Sequence, residues 1–169
     1  LLASNTKGYT IIKNLIMDKI NFRAAEINDL PILHKFEQGI VSTERPFDPT
    51  LKNEHINYYN IKAMITANDV AVIVALVNDE IIASAYVKIK KAPPYLKFEH
   101  YAYLGFMYVR PKYRGQGVSQ KVIEQAEIWA KLKNLNELRL EVYDENISAI
   151  AAYEKFGFKK HIIEMRVEI

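Results

Sequence analysis

The chain has 169 residues, of which half are hydrophobic and a quarter are charged, and its formal net charge is +3. This composition is typical of one globular domain with a sizeable core and excludes a disordered or fibrous chain. The longest apolar run, residues 70–77, is far shorter than the roughly 20 residues of a membrane helix, and the mild charge favours no nucleic-acid partner.

Residue types that bind metals are scarce or scattered. The chain has no cysteine, which excludes disulfides, thiolate metal sites and a cysteine nucleophile and fits a reducing cytoplasm. Its four histidines lack the short spacing of a zinc site. We therefore expect a cytoplasmic protein that holds no metal.

The chain contains no repeat or flexible linker that would divide it into domains. Residues 1–16 precede the first pattern typical of a folded element and lack the features of a signal peptide. We interpret them as an N-terminal extension of doubtful role. Residues 17–169 are predicted to form a single domain.

The first half of the domain alternates between regular and irregular patterns. Residues 19–24 are predicted to form a strand, and the apolar spacing of residues 28–40 indicates a helix. Two prolines make residues 41–50 irregular, and a second helix is predicted over residues 52–67.

The second half begins with a hairpin that turns at Asn78 and Asp79. Its predicted strands and helices lie at residues 70–77, 80–89, 102–109, 116–133, 138–142, 147–156 and 161–169. Gly157 is placed to cap the last helix. The element order predicts an α/β fold with one mixed, mostly antiparallel central sheet of about six or seven strands, flanked by about four helices.

A glycine-rich segment joins a predicted strand to a predicted helix at residues 110–121. It carries four cationic side chains and no acidic one. Gly115 and Gly117 let a ligand approach the main chain, and the first N–H groups of the helix have no partner within it. These features predict an anion site for a phosphate or diphosphate; an ordinary strand-to-helix turn is the alternative. The spacing matches neither a P-loop nor the dinucleotide fingerprint.

A second pattern, NISAIAAYEKFGF, occupies residues 146–158. Asn146 and Tyr153 are almost two helical turns apart and project from nearly the same face, with the small residues Ala149 and Ala152 between them. An elongated ligand could lie along this face. The alternatives are that Asn146 only caps the helix and that Tyr153 is an ordinary core residue.

Together the two patterns resemble the GCN5-related N-acetyltransferase (GNAT) superfamily. The family's acyl-CoA loop is matched by Val109, Pro111, Arg114, Gly117 and Ser119, with Ser119 in place of the usual glycine or alanine. The family's second motif is matched without a gap by Asn146, Ala149, Tyr153, Gly157 and Phe158. The resemblance extends over about residues 18–168 and implies the GNAT fold.

The resemblance implies an acyltransferase that transfers an acetyl group from acetyl-CoA to a primary amine of a small molecule or peptide. The implied contacts to acetyl-CoA come from the loop, the preceding strand and the last helix, at Met107, Val109, Arg114, Gly115, Gln116, Gly117, Val118, Ser119, Asn146, Ala149 and Tyr153. Tyr153 would sit by the sulfur and give the departing thiolate a proton.

The general base is less well defined, because the predicted strand at residues 102–109 carries no carboxylate. Glu99 and His100 at its start are the nearest candidates, and Glu141 is a weaker third. A low-pKa amine would need no dedicated base.

We expect the acceptor amine near the least regular segments. Glu44 and Asp48 could pair with a cationic amine and Arg45 with a carboxylate, while Tyr58 and Tyr59 add aromatic surface. The alternative is a solvated loop with local salt bridges.

Two other functions compete with catalysis. A domain that keeps acyl-CoA binding could act as a sensor or scaffold without turnover. A nucleic-acid binder would use the basic residues 110–121 and would bind in a salt-sensitive way. We expect an amine acceptor and neither a nucleic acid nor a membrane as partner, and we leave a homodimer open.

Overall fold

The computed structural model of the protein describes residues 19–169, so the predicted extension at residues 1–16 lies outside the described residues. Five strands are present, β1 (Asn21–Ala24), β2 (Val70–Val77), β3 (Glu80–Lys91), β4 (His100–Val109) and β5 (Leu138–Arg139). Four α-helices accompany them, α1 (Leu30–Glu44), α2 (Ile61–Thr66), α3 (Val118–Leu132) and α4 (Ile147–Phe156). No helix within the described range is long and apolar enough to cross a bilayer.

The strands form one mixed sheet in the order β1-β2-β3-β4-β5. The first three pairings are antiparallel, and the last, between β4 and β5, is parallel. The predicted hairpin turn is confirmed, because Asn78 and Asp79 both adopt positive φ, at 48° and 64°. Positive φ at both positions gives the turn a twist that matches its strands.

Each face of the sheet carries its own core. Alternate residues of β2 point to opposite faces, so Ile73 packs with α3 on one side while Val72 and Val74 pack with α1 and α2 on the other. Ile123 of α3 and Leu33 of α1 are completely buried in these two layers. The fold class predicted from the sequence is confirmed.

The second predicted helix is much shorter than expected. Residues 52–60 are not helical, and α2 begins only at Ile61. The completely buried Glu37 of α1 explains the difference, because its Oε1 accepts the backbone N–H groups of Tyr58 and Tyr59 at 2.7 and 2.8 Å. Asn60 then caps α2 by accepting from the backbone N–H of Ala63 at 3.1 Å.

The sheet has five strands where six or seven were predicted, and the predicted last strand at residues 161–169 does not form. The predicted strand at residues 138–142 is reduced to the pair Leu138–Arg139. Ile163, Met165 and Val167 are more than four-fifths exposed. The alternation of apolar and polar residues determines which side chains of a strand would face the core. The strand itself forms only where its main-chain N–H and C=O groups can pair with a neighbouring strand.

Candidate functional site

β4 contains a bulge at the centre of the sheet. Ser84 pairs with Tyr108 and Tyr86 with Gly105, so two residues of β4, Phe106 and Met107, lie opposite one residue of β3. Phe106 adopts φ 55°, and its carbonyl accepts a hydrogen bond from the buried Ser84 hydroxyl at 3.4 Å. A non-glycine residue at positive φ inside a strand is strained, so the surrounding structure must hold it in place.

The bulge changes which main-chain groups face the open edge of β4. Before it, the N–H of Ala102 donates to the Glu137 carbonyl on the β5 side at 2.9 Å. After it, the N–H of Arg110, another even-numbered residue, donates to Ile82 on the β3 side at 2.9 Å. Because main-chain groups alternate along a strand, the odd-numbered Met107 and Val109 must face away from β3.

That edge of β4 is unpaired where Met107 and Val109 face it. β5 pairs with β4 only at Ala102 and Tyr103, so the two parallel strands separate beyond this point. The Val109 carbonyl accepts a hydrogen bond from Arg114 Nε at 2.9 Å. An extended ligand with amide groups could add to this edge as a strand does.

The glycine loop follows directly. Gly115 and Gly117 adopt φ 70° and 88°, which favour glycine, and Gly117 is the N-cap of the 15-residue helix α3. No side chain caps this helix, so its first N–H groups point into the loop without a side-chain acceptor. The exposed Lys112 and Arg114 add positive charge. The predicted Gln116, Val118 and Ser119 lie in this loop and the first turn of α3.

Several loop contacts hold this shape. Gln116 Nε2 donates to the Lys112 carbonyl at 2.8 Å and closes the loop across Gly115. The Tyr113 side chain is buried and donates to Glu80 Oε2 at 3.1 Å. Arg110 also forms an ion pair with Glu80, at 2.9 Å. Its charge is therefore paired within the fold and is not available to an anion in the loop.

The second motif forms α4 as predicted. Asn146 Oδ1 accepts from the Ala149 N–H at 3.2 Å, so Asn146 caps the helix, and its side-chain NH₂ is the group left for a ligand. Gly157 ends the helix at φ 123°. Tyr153 packs against the core that contains α3, and burial, with the charge of Glu44, raises its pKa to about 12.

The structure joins the two motifs. α3 and α4 are in contact, and Gln120 Nε2 in the first turn of α3 donates to the Ala152 carbonyl of α4 at 2.7 Å. The uncapped end of α3 and the helix that carries Tyr153 are thereby held together, and both pack in the core on the same face of the sheet. No pattern in the sequence marks Gln120 or Ser84 as a residue of this site.

The predicted acceptor residues occupy the end of α1 and the segment after it. Arg45 donates to the carbonyls of Lys52 and Glu54. Asp48 accepts from Thr50, from the Tyr143 hydroxyl at 3.1 Å and from Arg166 at 3.3 Å. The hydrogen bonds from Thr50, with Tyr143 and Arg166, lower the pKa of Asp48 to about 2.

Glu44, Tyr58 and Tyr59 have surroundings different from those of Arg45 and Asp48. Glu44 is half-buried, and burial raises its pKa. Tyr59 packs edge to face on Tyr86 and against Phe106 of the bulge, with ring centroids 5.5 and 5.2 Å apart. The Tyr58 hydroxyl is buried, and burial, together with the charge of Glu44, raises the pKa of Tyr58.

Glu99 and His100, the predicted base candidates at the start of β4, lie far along the strand from the bulge at Phe106. Glu99 and His100 are exposed, and His100 pairs with Lys91 at the far end of β3. Six residues of strand separate His100 from Phe106, which is about 20 Å along β4. Glu141 is exposed beyond β5, where its charge raises the pKa of Tyr103 along with burial. The structure does not bring these three residues together with Tyr153.

Comparison with known proteins assigns the family. Residues 37–158 match the acetyltransferase (GNAT) family. This chain belongs to the GNAT family. The resemblance drawn from the two motifs is confirmed, and both motifs lie within or at the limit of the matched range.

Individual relatives are similar over shorter stretches. Thialysine N-epsilon-acetyltransferase of Bos taurus is 42% identical over 55 residues, which are 32% of this chain and 32% of that protein. N-alpha-acetyltransferase 30 of Saccharomyces cerevisiae is 32% identical over 68 residues, 40% of this chain and 39% of that protein. The matches therefore span well under half the length of these curated relatives.

The solved structure of another protein supports the fold. The crystal structure of a predicted acetyltransferase with acetyl-CoA from Clostridium acetobutylicum superposes with a TM-score of 0.71 at 21% identity. The similarity covers 88% of this chain and 96% of that one. At this identity the likeness establishes the architecture alone.

Proposed function

We propose that the chain is an N-acetyltransferase that moves an acetyl group from acetyl-CoA to a primary amine of a small molecule or peptide by direct attack. The observation that carries the proposal is the unpaired edge of β4 at Met107 and Val109, which runs from the uncapped end of α3 towards α4. A cationic glycine loop for a diphosphate and a strand edge for an amide-containing arm suit the two parts of coenzyme A.

The donor set fits this ligand residue by residue. The N–H groups of Gly115, Gln116, Gly117, Val118 and Ser119, with the cation of Arg114, would hold the diphosphate. The main chain of Met107 and Val109 would pair with the extended arm after Arg114 leaves the Val109 carbonyl. Ala149 leaves room for the arm beside α4, and the Asn146 NH₂ group would donate to one of its carbonyls.

The oxyanion that forms during acyl transfer needs a main-chain donor. Tyr108 pairs with Ser84 on the β3 side, whereas Met107 follows the strained Phe106 and faces the open edge. We therefore assign the Met107 N–H to the oxyanion. A donor fixed by the bulge needs no reorganisation when the charge develops.

We assign the Tyr153 hydroxyl to the departing sulfur as its hydrogen-bond and proton donor. With a pKa of about 12 its phenol stays protonated at neutral pH. Complete transfer to a thiolate with a pKa near 8.5 is uphill by roughly 4–5 kcal/mol. Tyr153 therefore donates a hydrogen bond to the sulfur and gives up its proton only as the attacking nitrogen supplies another.

The experiment is an acetylation screen with the purified chain, acetyl-CoA and a panel of alkyl diamines, amino acids and peptides with free N-termini. Thiol release that depends on the amine, together with a mass increase of the amine, is the expected result. Tight acetyl-CoA binding without turnover across the panel would favour the sensor or scaffold alternative. Binding of nucleic acid that acetyl-CoA does not displace would favour the alternative in which the basic residues 110–121 bind nucleic acid. A cytoplasmic location and a homodimer stay predictions.

A further inference from the structure

Two tyrosines enclose the strained part of β4 on the face of the sheet that packs with α1 and α2. The buried Phe106 ring packs against the ring of Tyr59, with centroids 5.2 Å apart. The Tyr86 ring lies against the preceding residue, because a Cβ added at Gly105 would be 2.5 Å from Cζ and from the hydroxyl oxygen of Tyr86. Tyr59 in turn packs edge to face on Tyr86. The two rings therefore limit how the main chain at Gly105 and Phe106 can move.

Tyr59 itself is held by a residue of another helix. It lies outside helices and strands, where main-chain N–H groups need other acceptors. Oε1 of Glu37 accepts the N–H groups of Tyr58 and Tyr59 at 2.7 and 2.8 Å. Glu37 is completely buried in α1, and its Oε2 lies 3.5 Å from Nδ1 of His34. Glu37 therefore fixes the main chain from which the Tyr59 ring projects.

The position of Phe106 determines the direction of the next N–H group. The Phe106 carbonyl and the Met107 N–H belong to one planar trans peptide unit, so they point in opposite directions. The hydroxyl of Ser84 donates to this carbonyl at 3.4 Å, so the N–H points away from Ser84. Any movement of Phe106 that turns this peptide unit also turns the Met107 N–H.

We infer that Glu37 is a positioning residue for acyl transfer, and that it acts through the Tyr59 ring on the direction of the Met107 N–H. This inference rests on the proposed function, because the Met107 N–H is the donor assigned there to the oxyanion. Glu37 touches no reacting atom. Its effect should appear in kcat, since a donor that is already oriented stabilises the developing charge without reorganisation.

The kinetic test compares four variants with the wild type, on an amine that the acetylation screen identifies. Glu37→Leu removes both acceptor oxygens and should lower kcat about tenfold or more. Glu37→Gln keeps an oxygen that can accept from both N–H groups, so kcat should stay within about threefold of the wild type. Tyr59→Phe keeps the ring and should also retain kcat, whereas Tyr59→Leu should lose it. The dissociation constant of acetyl-CoA should change less than kcat in all four, because the glycine loop is unaltered.

A second measurement follows the Met107 amide without turnover. The chain has four methionines, so isotope labelling of methionine nitrogen gives at most four main-chain amide signals in an NMR spectrum. Met107→Leu identifies the signal of Met107 by its loss. In Glu37→Leu, which keeps every aromatic ring, this signal should shift. The signal of Met165, which lies in the exposed tail, should not. Glu37→Gln should leave both signals in place.

Gln38→Leu is the matched control. Gln38 also lies on α1 and donates to the same segment, at the Ile56 carbonyl, 3.0 Å away. Its replacement should lower stability without lowering kcat or shifting the Met107 signal. A loss of kcat equal to that of Glu37→Leu would overturn the inference, since any tie between α1 and this segment would then have the same effect.

A folded Glu37→Leu protein that keeps the wild-type kcat and the wild-type Met107 signal would also overturn the inference. If Glu37→Leu does not fold, the two Tyr59 variants decide, and equal kcat in Tyr59→Phe and Tyr59→Leu would overturn it. Absence of turnover in the wild type would instead overturn the proposed function. The Met107 signal would still show whether Glu37 controls the bulge.

Discussion

The side-chain amide of Gln120 donates to the backbone carbonyl of Ala152 at 2.7 Å and thereby links the first turn of α3 to the middle of α4. These helices carry the two motifs on which the family resemblance rests. The bond holds the uncapped end of α3 against the helix that carries Tyr153. Under the proposed function, this contact lets two motifs about 30 residues apart in sequence bind one ligand.

Replacing Gln120 with leucine should loosen this link. The side chain keeps its volume but loses the donor, so we expect the free energy of unfolding to fall by about 0.5–1.5 kcal/mol. We also expect a lower turnover, because the position of Tyr153 is less well fixed. Urea unfolding and steady-state kinetics measure both effects. Gln125→Leu on the same helix is the control, and an equal loss of turnover in it would contradict the role of Gln120.

Replacing Ser84 with alanine should weaken the bulge of β4. The buried hydroxyl then no longer donates to the Phe106 carbonyl, which stays buried with one partner fewer. We expect a loss of about 1 kcal/mol in stability and a lower kcat, because the Met107 N–H is less well oriented. The affinity for acetyl-CoA should change less than kcat. A stability loss with unchanged kcat would show that the bulge needs no support from Ser84.

Replacing Gly117 with alanine should reduce acetyl-CoA binding. A side chain at φ 88° is strained, and Gly117 is the N-cap of α3, whose first N–H groups would hold the diphosphate. We expect an affinity loss of about tenfold, which calorimetry would measure. Gly157→Ala is a matched control for strain, because Gly157 also has positive φ and an added Cβ there meets open space. Similar affinity losses in both variants would indicate a general effect of strain.

Asp48 should make stability depend on pH. Its pKa in the folded protein is about 2, below the value of about 3.9 for an unperturbed aspartate. Its contribution is therefore fully present above pH 4 and is lost as the pH falls towards 2. Asp48→Asn should reduce the free energy of unfolding most above pH 4, and the gap to wild type should close towards pH 2. A gap that does not change with pH would contradict the assignment.

The sequence predicted the fold class and the elements that carry the two motifs, because these depend on local patterns. Residues 116–133 carry one apolar stripe and form α3 almost as predicted, and Asn146 and Gly157 define the limits of α4. The family motifs also placed the glycine loop and Tyr153 on the correct elements.

Elements that depend on distant partners could not be predicted in this way. Residues 52–60 have helical spacing, but the buried Glu37 on another helix fixes their main chain at Tyr58 and Tyr59. The strand pattern of residues 161–169 lacks a paired edge. No local signal marks Phe106 as strained, because its conformation comes from the pairing of β4 with β3.

The central claim, that acetyl-CoA lies between β4 and α4 with its sulfur at Tyr153, is tested most directly with Tyr153→Phe. This change removes one hydroxyl and keeps the ring that packs against Phe158, with centroids 5.9 Å apart. The measurement compares kcat with the dissociation constant of acetyl-CoA in both proteins. We predict that kcat falls at least 100-fold while the dissociation constant changes less than threefold. An equal change in both quantities, or an unchanged kcat, would contradict the account.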